Sequence, residues 1–515
     1  MTTAAPPASP AVPTPSVVHK GLKIGALGLV SSIVIAVAST APAYSLTSAL
    51  GSVVGKVGLR APVAILLAFV PMLFVSYAYK ALNNVDPDCG TSFTWVARAF
   101  GRRTGWVTGW AIIAADVIVM ANLAEIAGSY TFQLFGLDSL ANSVGWTTLV
   151  GSVWILLMTL IAWIGIELSA RTQVILLSLE LLVLLVLAVV ALGKVYAGHA
   201  GALAIHPSLS WFNPFGGGMS FGALSGGFLA AVFIYWGWDS AVAVNEETRD
   251  AKITPGRAAV ISTVILLITY VLVTVAAQAY AGVGAKGIGL TSDAAGVDAL
   301  RGVGHEALGS FGVKVLILAV LSSSAASAQT TILPTARTTL SMAAYKALPK
   351  IFGNVHPRYQ TPTFSTWAMG VISVAFYAVM ASVQSGRALG DLILAIGLQI
   401  AFYYGLTGFA SAWYFRKELG RDAKTLWLKG ILPLLGGVIL LVAFVKSAFD
   451  FWKPDSGSTS FFGVGGPFVL GIGAIVVGVV LMIIWNLVSS DYFKGRTLQN
   501  SDALLAAERA ANPQS

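Results

Sequence analysis

The stretch Phe233-Ile234-Tyr235-Trp236-Gly237-Trp238-Asp239 interrupts the hydrophobic run 219–244 near its middle. The run is long enough to cross a bilayer, which takes about 20 apolar residues. A glycine between two tryptophans, followed by a carboxylate, is poor material for a continuous lipid-facing helix. Backbone groups freed by unwinding inside a membrane must be satisfied by protein, water or a ligand. The stretch therefore predicts a membrane span that breaks halfway.

A second break is predicted in the first hydrophobic run, at Ser39-Thr40-Ala41-Pro42. Pro42 removes one backbone donor and opposes a continuous helix. Two interrupted spans at matching places in the two halves of a polytopic chain point to the binding site of a secondary transporter. A purely structural proline kink is the alternative interpretation of Pro42.

The composition is that of a membrane protein. Of 515 residues, 56% are hydrophobic and 10% are charged, and the mean hydropathy is +0.80, whereas soluble domains carry about 25% charged residues. Counting apolar runs of about 20 residues predicts twelve spans: 24–50, 61–82, 105–131, 146–166, 172–196, 218–244, 257–281, 312–336, 363–383, 389–414, 428–449 and 465–489.

The spacing of the two breaks predicts an internal repeat. Thr40 and Trp236 lie about 196 residues apart, which fits two five-span repeats, spans 1–5 and 6–10, with spans 11 and 12 appended. An odd number of spans per repeat makes the repeats inverted. We therefore expect an all-α membrane protein with twelve transmembrane helices, of which helices 1 and 6 are discontinuous.

The basic residues predict how the chain is oriented. The net charge of +9 does not indicate nucleic-acid binding, because the Lys and Arg residues lie between spans; 22 of the 31 fall on the side of the N-terminus. This bias predicts that both termini are cytoplasmic in a multi-pass bacterial plasma-membrane protein. We expect a disordered cytoplasmic tail over residues 1–20, a transporter domain over 21–490 and a cytoplasmic tail over 491–515.

Motifs of catalytic or metal sites are missing from the sequence. Cys89 is the single cysteine, the five histidines fall in tails or connections, and there is no phosphate-binding glycine loop or nucleophile–base pattern. We expect neither an enzyme, nor a cofactor, nor a metal site.

Four segments in order resemble the amino acid–polyamine–organocation (APC) superfamily of permeases, which have a LeuT-type fold. The resemblance covers about residues 20–490. It is carried by the span-6 stretch Phe233 to Asp239 with Glu246-Glu247 and Arg249-Asp250, by Pro87 to Val96, by Gly105-Trp106-x-x-Gly109-Trp110, and by Arg337 with Ala347-Leu348-Pro349 and His356-Pro357.

The predicted substrate site lies at the two breaks. Unwound amides at Ser39, Thr40 and Ala41 suit a carboxylate, and carbonyl groups of the Phe233-Ile234-Tyr235 turn suit an ammonium group. The resemblance implies that they bind an α-amino acid and that Phe233 is an aromatic gate, with ordinary packing as the alternative. Trp238 is a further candidate contact. Of the adjacent Tyr403 and Tyr404, we expect only one to face the path.

Intramembrane acids are costly, and they usually face a wet cavity or a partner. Asp116 and Glu125 lie nine residues apart, on nearly opposite faces of a helix. We expect Asp116 to face the substrate path; a hydrogen-bonded structural carboxyl is the alternative. Asp239 is predicted either to contact the substrate or a proton, or to cap the second half-helix. Glu246-Glu247 are predicted to anchor the inner end of span 6.

Glu180 departs from the family. In many sodium-independent permeases of the superfamily a lysine stands at this place in span 5 and replaces a sodium ion. A glutamate there needs a cation, a proton or a basic neighbour, because burial penalises its charged form. We therefore predict that Glu180 couples transport to protons, with hydroxyls from the span-8 serines Ser322, Ser323, Ser324 and Ser327. A glutamate bonded to span 1 or span 8, and serines that only permit close helix packing, are the alternatives.

These expectations combine into a secondary active transporter. It would import an amino acid or small organic amine by alternating access, coupled to protons, with sodium as the other coupling ion. A polyamine importer and a substrate–product exchanger are the alternatives within transport. An inorganic-cation transporter or channel and a membrane-embedded sensor are the alternatives from other classes. The expected partners are the small-molecule substrate, the coupling ion and the lipid bilayer, with no nucleic acid.

Overall fold

A computed structural model describes residues 20–216 and 219–500. The predicted tails therefore lie outside the described residues, apart from Lys20 and residues 491–500. The α-helices are α1 Leu29–Ser39, α2 Pro42–Val57, α3 Ala61–Val85, α4 Ser92–Phe100, α5 Arg102–Leu134, α6 Asp138–Ala141, α7 Val144–Ile164, α8 Ile166–Tyr196, α9 Phe221–Val232, α10 Ser240–Ala243, α11 Thr254–Ala281, α12 Asp293–Val297, α13 Arg301–Ala344, α14 Thr363–Ser382, α15 Arg387–Tyr414, α16 Ala423–Thr425, α17 Leu432–Phe451 and α18 Gly466–Val488.

Short elements join these helices. Strands β1 Ser460–Phe461 and β2 Val464–Gly465 form one antiparallel pair. A π-helical stretch, Leu426–Ile431, leads into α17. The 3₁₀ turns are Gly58–Arg60, Leu209–Phe212, Phe233–Tyr235, Asn245–Glu247, Lys350–Gly353 and Val383–Gly386.

The all-α membrane architecture is confirmed. Among the described residues, ten helical stretches are long and apolar enough to cross a membrane. The first, Leu29–Val85, holds two of the predicted spans, α1–α2 and α3, and the sixth predicted span is too divided to qualify by length. The twelve-span count and the inverted repeat stay predictions. The ten stretches are Leu29–Val85, α5, α7, α8, α11, α13, α14, α15, Ala423–Phe451 and α18.

The first helix break lies where the sequence predicts it. Helix α1 ends at Ser39, and α2 begins at Pro42, whose missing N–H is harmless at the first helical position. Between them, Ala41 adopts the left-handed conformation with φ 47° and ψ 66°, which is uncommon for a residue other than glycine. The break is therefore fixed by the backbone.

The second break divides the sixth predicted span. Helix α9 ends at Val232, the turn Phe233–Tyr235 follows, Trp236 is extended with φ −79° and ψ 143°, and α10 begins only at Ser240. Gly237 has φ +117°, and a Cβ atom built on it would lie 2.7 Å from the carbonyl oxygen of Ser39. Only glycine permits this approach, so the two breaks touch each other.

Long helices surround the two broken ones. Helix α1 packs against α8, α11 and α13, and α10 packs against α1, α11 and α13. Helices α5 and α13 form a further extensive contact. The breaks are thereby enclosed in the middle of the bundle, with side chains of α8, α13 and α15 around them.

We expect Gly237→Ala to impair both folding and transport. The added methyl group meets the Ser39 carbonyl, and the φ angle is strained for alanine, which costs about 1–3 kcal/mol. The melting temperature in detergent and the uptake rate of reconstituted protein measure the effect. Gly222→Ala is the control in the same span, because its nearest neighbour would be 3.9 Å away. Equal behaviour of the two variants would contradict the contact.

Candidate functional site

The two breaks are joined by serine hydroxyls. The Oγ atoms of Ser39 and Ser240 lie 2.7 Å apart, and the Ser327 hydroxyl donates to the Ser39 carbonyl at 2.8 Å. All three side chains are buried. The structure thus connects both half-helices to each other and to α13.

Glu180 lies at the N-terminus of α2. Its Oε1 atom accepts the N–H of Ala43 and the hydroxyl of Ser323, each at 2.7 Å. Its Oε2 atom has no hydrogen-bond partner within the described residues, and the side chain is fully buried. These contacts to the first and eighth predicted spans agree with the structural alternative for Glu180, while its role in coupling stays a prediction.

The predicted serine cluster is divided. Ser323 bonds Glu180 and also accepts the N–H of Tyr44 at 3.3 Å. Ser327 turns to the first break. The hydroxyls of Ser322 and Ser324 instead bond carbonyl groups of their own helix, at 2.8 and 3.0 Å. Two of the four serines thus face the breaks.

The amide groups at the first break are engaged within the chain. The N–H of Thr40 bonds the Val37 carbonyl and that of Ala41 bonds the Ala38 carbonyl, both at 3.1 Å. These i→i−3 bonds tighten the last turn of α1, a common ending for helices. The residues predicted to hold a carboxylate, Ser39, Thr40 and Ala41, are all buried, and their binding role stays a prediction.

The carbonyl groups at the second break are partly occupied. The Ile234 carbonyl accepts the Tyr270 hydroxyl at 2.6 Å, and the Phe233 carbonyl accepts the N–H of Trp236 at 3.1 Å. The Phe233 ring meets Tyr44 edge-on, with 6.3 Å between centroids. This contact spans the two breaks, as a gate would require, but it also satisfies the packing alternative.

The aromatic residues Tyr235 and Trp238 are both buried beside the second break. The Tyr235 ring packs against Tyr270 at 5.1 Å. Trp238 packs between Tyr79 and Tyr404, with centroids at 5.0 and 5.1 Å. The Tyr235 hydroxyl and the Trp238 Nε1 have no hydrogen-bond partner in the described part of the chain.

The capping alternative for Asp239 is wrong, and both neighbouring tyrosines contact its carboxylate, while its contact with a substrate or proton stays a prediction. Asp239 precedes α10, but its side chain forms no capping hydrogen bond. Its carboxylate instead accepts the hydroxyls of Tyr404 at 2.8 Å and Tyr403 at 3.3 Å. Adjacent residues project about 100° apart on a helix, yet the long phenol side chains converge on the two oxygens of one carboxylate. Tyr403 is also bonded by the Trp236 indole.

Asp116 and Glu125 occupy different places, as their spacing predicts. Asp116 is buried, accepts the Thr335 hydroxyl and lies within electrostatic range of Asp239. Glu125 instead lines a separate cavity of about 760 Å³, beside Tyr130 and Asp298. Of the two acids on α5, Asp116 is therefore the one near Asp239 of the second break. Its hydrogen bond from Thr335 also fits the alternative that it is a structural carboxyl group.

A buried charge cluster lies at the end of the bundle that holds both described chain ends. The Lys20 ammonium bonds Asp88 at 2.8 Å and Glu246 at 2.5 Å. Ser341 and Tyr345 donate to Asp88 at 2.6 and 2.8 Å. We call these five residues the Lys20 cluster. It ties the segment before α1 to the α3–α4 connection and to the 3₁₀ turn Asn245–Glu247, which follows α10.

A second ion pair reinforces this end. Arg337 binds Glu247 in bidentate fashion, both distances being 2.9 Å, and neither side chain is exposed to solvent. The N–H of Leu27 bonds the Glu247 carbonyl at 3.0 Å, and the N–H of Arg249 bonds the Leu27 carbonyl at 2.8 Å. The anchoring predicted for Glu246 and Glu247 therefore corresponds to two separate ion pairs.

Two acids of the Lys20 cluster and the adjacent Cys89 form a group of three potential metal ligands. Ligand atoms of Asp88, Cys89 and Glu246 lie within 4.8 Å of one another. The Lys20 ammonium bonds both carboxylates, so it already supplies the positive charge that two buried acids require.

Charge pairing shifts the pKa values of this cluster. Burial raises the pKa of Asp88, but the Lys20 charge and the donors from Ser341 and Gly90 outweigh it and bring the pKa to about 2. Burial lowers the pKa of Lys20, but Asp88 and the other acidic groups around it, including Glu246, outweigh burial and raise the pKa. Asp88 and Lys20 are therefore both charged at neutral pH.

Sequence reasoning missed most partners of the predicted residues, although it expected the hydroxyl of Ser323 beside Glu180. Lys20 was assigned to the tail, although it directly precedes the first span. Asp88 was only part of the motif Pro87 to Val96, and Thr335 carried no signal of its own. The signal available for Ser240 was its polar side chain directly after the predicted break at Phe233 to Asp239.

We expect Lys20→Met to destabilise the protein strongly. Removing one partner of a buried charge pair costs about 3–5 kcal/mol, whereas Lys23→Met, which breaks an exposed pair with Glu167 at 2.9 Å, costs about 0–1 kcal/mol. Thermal unfolding in detergent at neutral pH compares the two. Equal melting temperatures for both variants would contradict a stabilising role of the buried Lys20 ion pairs.

The pH dependence of the same pair follows from the sign of the shift. The pKa of Asp88 in the folded protein lies below its ordinary value of 3.8, so the stabilisation is present above about pH 4 and is lost as the pH falls toward 2. Lys20→Met should lack this acid-dependent loss.

Comparison with known proteins identifies the family. Residues 27–477 match the family described as amino acid permease. The branched-chain amino acid permease BcaP of Lactococcus lactis subsp. cremoris is 25% identical over 432 residues, which cover 79% of this chain and 84% of the relative. The low-affinity putrescine importer PlaP of Escherichia coli is 23% identical over 423 residues, covering 80% and 86%.

These matches confirm the resemblance to APC permeases and indicate a multi-pass membrane transporter rather than an enzyme. A methylthioribose transporter of Bacillus subtilis is 23% identical over 331 residues, covering 60% of this chain and 65% of the relative. The family match extends from the segment before α1 into α18. The chain therefore belongs to the amino acid permease family.

Proposed function

We propose that the protein is a secondary active transporter that imports an amino acid or a small organic amine across the plasma membrane by alternating access. The contact between the two helix breaks, at Ser39 and Gly237, carries the proposal. It concentrates bent backbone and buried polar groups in the middle of an apolar bundle, where a transporter binds its substrate. Two relatives, a branched-chain amino acid permease and a putrescine importer, support the same substrate range.

The ammonium group of the substrate would bind near Asp239 and Asp116. Both carboxyl groups are buried, and their hydrogen bonds within the described residues come from neutral hydroxyls of Tyr403, Tyr404 and Thr335. Hydroxyl groups both donate and accept hydrogen bonds, so they leave the two carboxyl groups without a fixed counter-charge that a substrate ammonium group would have to replace. The carbonyl groups of the Phe233–Tyr235 turn would also contribute to this site for the ammonium group.

The Lys20 cluster and the Arg337–Glu247 pair would form the inner gate. The bias of basic residues toward this side supports its cytoplasmic location and twelve spans with both termini inside. The ion pairs hold the segment before α1, the α3–α4 connection and the end of the second break together. Release of substrate to the cytoplasm then requires that these contacts separate while the breaks act as hinges.

Glu180 would couple transport to a proton. Its Oε1 atom already accepts two hydrogen bonds, and its buried Oε2 atom has no partner among the described residues. A protonated Oε2 needs no counter-charge, whereas an ionised one does. Movement of α2 relative to α8 changes this environment, which links proton binding to the conformation of the first break.

A polyamine or other cationic amine is the second candidate substrate. The observation that favours it is the set of three buried acids at the breaks, Asp116, Glu180 and Asp239, which receive hydrogen bonds only from neutral groups in the described residues. A buried group of acids that lack basic partners can balance the charge of a bound cation.

We expect Glu180→Gln to abolish the pH dependence of uptake while leaving binding of substrate in place. Glutamine keeps an accepting oxygen for Ala43 and Ser323 but cannot exchange a proton. Uptake into proteoliposomes across a range of pH values measures this. Glu167→Gln is the matched control on the same helix, since Glu167 is exposed and pairs with Lys23. An unchanged pH profile for Glu180→Gln would sink the coupling role.

Amines or amino acids that bind should raise the melting temperature of the purified protein in a concentration-dependent way. Asp116→Asn should weaken this binding by about 10- to 100-fold, the worth of a charged hydrogen bond. Asp138→Asn, on the exposed α6, should leave it unchanged. If no member of either class stabilises the protein or enters proteoliposomes, while monovalent metal cations do, the inorganic-cation alternative replaces this proposal.

A further inference from the structure

The N-terminus of α2 is where a helix best binds an anion. Four N–H groups lack intrahelical partners at such an end, and the helix dipole is positive there. Helix α2 is 16 residues long and starts at the first break. A substrate carboxylate would be expected to bind at this point.

No amide in the segment from Thr40 to Tyr44, all of it described, is left for a substrate. Thr40 and Ala41 donate to carbonyl groups of α1 at 3.1 Å. Pro42 has no N–H. The N–H of Ala43 bonds Glu180 at 2.7 Å, and that of Tyr44 bonds Ser323 at 3.3 Å. Every donor that the break offers is therefore accounted for within the chain.

The group that takes the Ala43 amide is itself a carboxyl group. Glu180 reaches from α8 to the start of α2 and is also held by Ser323 of α13. Its side chain is fully buried, so it occupies the place at the helix end as a permanent part of the protein. To bind the Ala43 amide, the α-carboxylate of a substrate would have to displace Glu180 from it.

Two other buried acids near the breaks oppose that displacement. Asp116 and Asp239 are buried near the same breaks, and their hydrogen bonds within the described residues come from neutral side chains. Another buried carboxylate without a basic partner is strongly unfavourable. An ammonium group, by contrast, is attracted to the same acids.

We propose that Glu180 serves as a built-in carboxyl group at the start of α2, so that the protein selects amines that lack a carboxylate over the corresponding α-amino acids. This inference rests on the proposed function, since it names the substrate class of the same site. It assigns Glu180 a role in specificity that is separate from proton exchange, because the blocking contact uses Oε1 and the proton would use Oε2.

Matched pairs of compounds test the proposal on the unaltered protein. Putrescine with ornithine, cadaverine with lysine, and 3-methylbutylamine with leucine differ within each pair only by the carboxylate. Thermal shift and competition for uptake measure the affinity of each compound. In at least one pair the amine should bind ten times more tightly than the amino acid, and in no pair should the order be reversed.

The outcomes separate this inference from the proposed function. Equal or tighter binding of the amino acids overturns the selection by Glu180 and leaves an amino acid transporter standing. A lack of binding and uptake for both members of every pair refutes the proposed function and this inference together. Tight binding of amines alone supports both.

Two substitutions of Glu180 give an independent test. Glu180→Ala frees the Ala43 amide and should reduce the preference for amine over amino acid at least tenfold. Glu180→Gln retains an acceptor for that amide and should keep the preference. An unchanged preference in a folded Glu180→Ala protein overturns the proposal. The matched pairs keep it falsifiable if this variant does not fold.

Discussion

The close approach of Gly237 to the carbonyl of Ser39 is the contact on which the arrangement of the site depends. It brings two pieces of interrupted backbone together that are distant in sequence, and it leaves no room for a side chain between them. Because the breaks touch, the hydroxyl of Ser240 can meet Ser39, and Tyr44 can meet Phe233. The surrounding helices then supply the acids and hydroxyls that an apolar bundle would otherwise exclude.

Neutral donors hold the acids of this centre. Tyrosine, serine and threonine hydroxyls and one backbone amide bind Asp239, Asp116 and Glu180, whereas the buried ion pairs of Lys20 with Asp88 and of Arg337 with Glu247 lie at one end of the bundle. The two regions therefore differ in what can change them. Ion pairs hold the end together, and the centre is set up to respond to an added cation or proton.

The positions of the breaks could be read from the sequence because local chemistry decides them. Pro42 suits only the first turn of a helix, and Gly237 adopts a φ angle that other residues avoid. Most partners could not be read in this way, because they come from distant parts of the chain: for Glu180 the sequence predicted the hydroxyl of Ser323 but not the amide of Ala43. The convergence of Tyr403 and Tyr404 on Asp239 was missed because helical spacing gives the direction of a Cβ atom and not the reach of a phenol. Lys20 was missed because a single lysine beside a low-complexity tail has no local signature of burial.

The Lys20 cluster has a consequence for the biogenesis of the protein. Lys20 leaves the ribosome before its partners, because Asp88 and Glu246 follow 68 and 226 residues later, and the hydroxyl groups of Ser341 and Tyr345 come later still. Lys20 therefore waits unpaired while most of the bundle is synthesised and inserted. The complete cluster can form only after α13 has been made. Its formation therefore requires that the first and second halves of the chain have packed against each other.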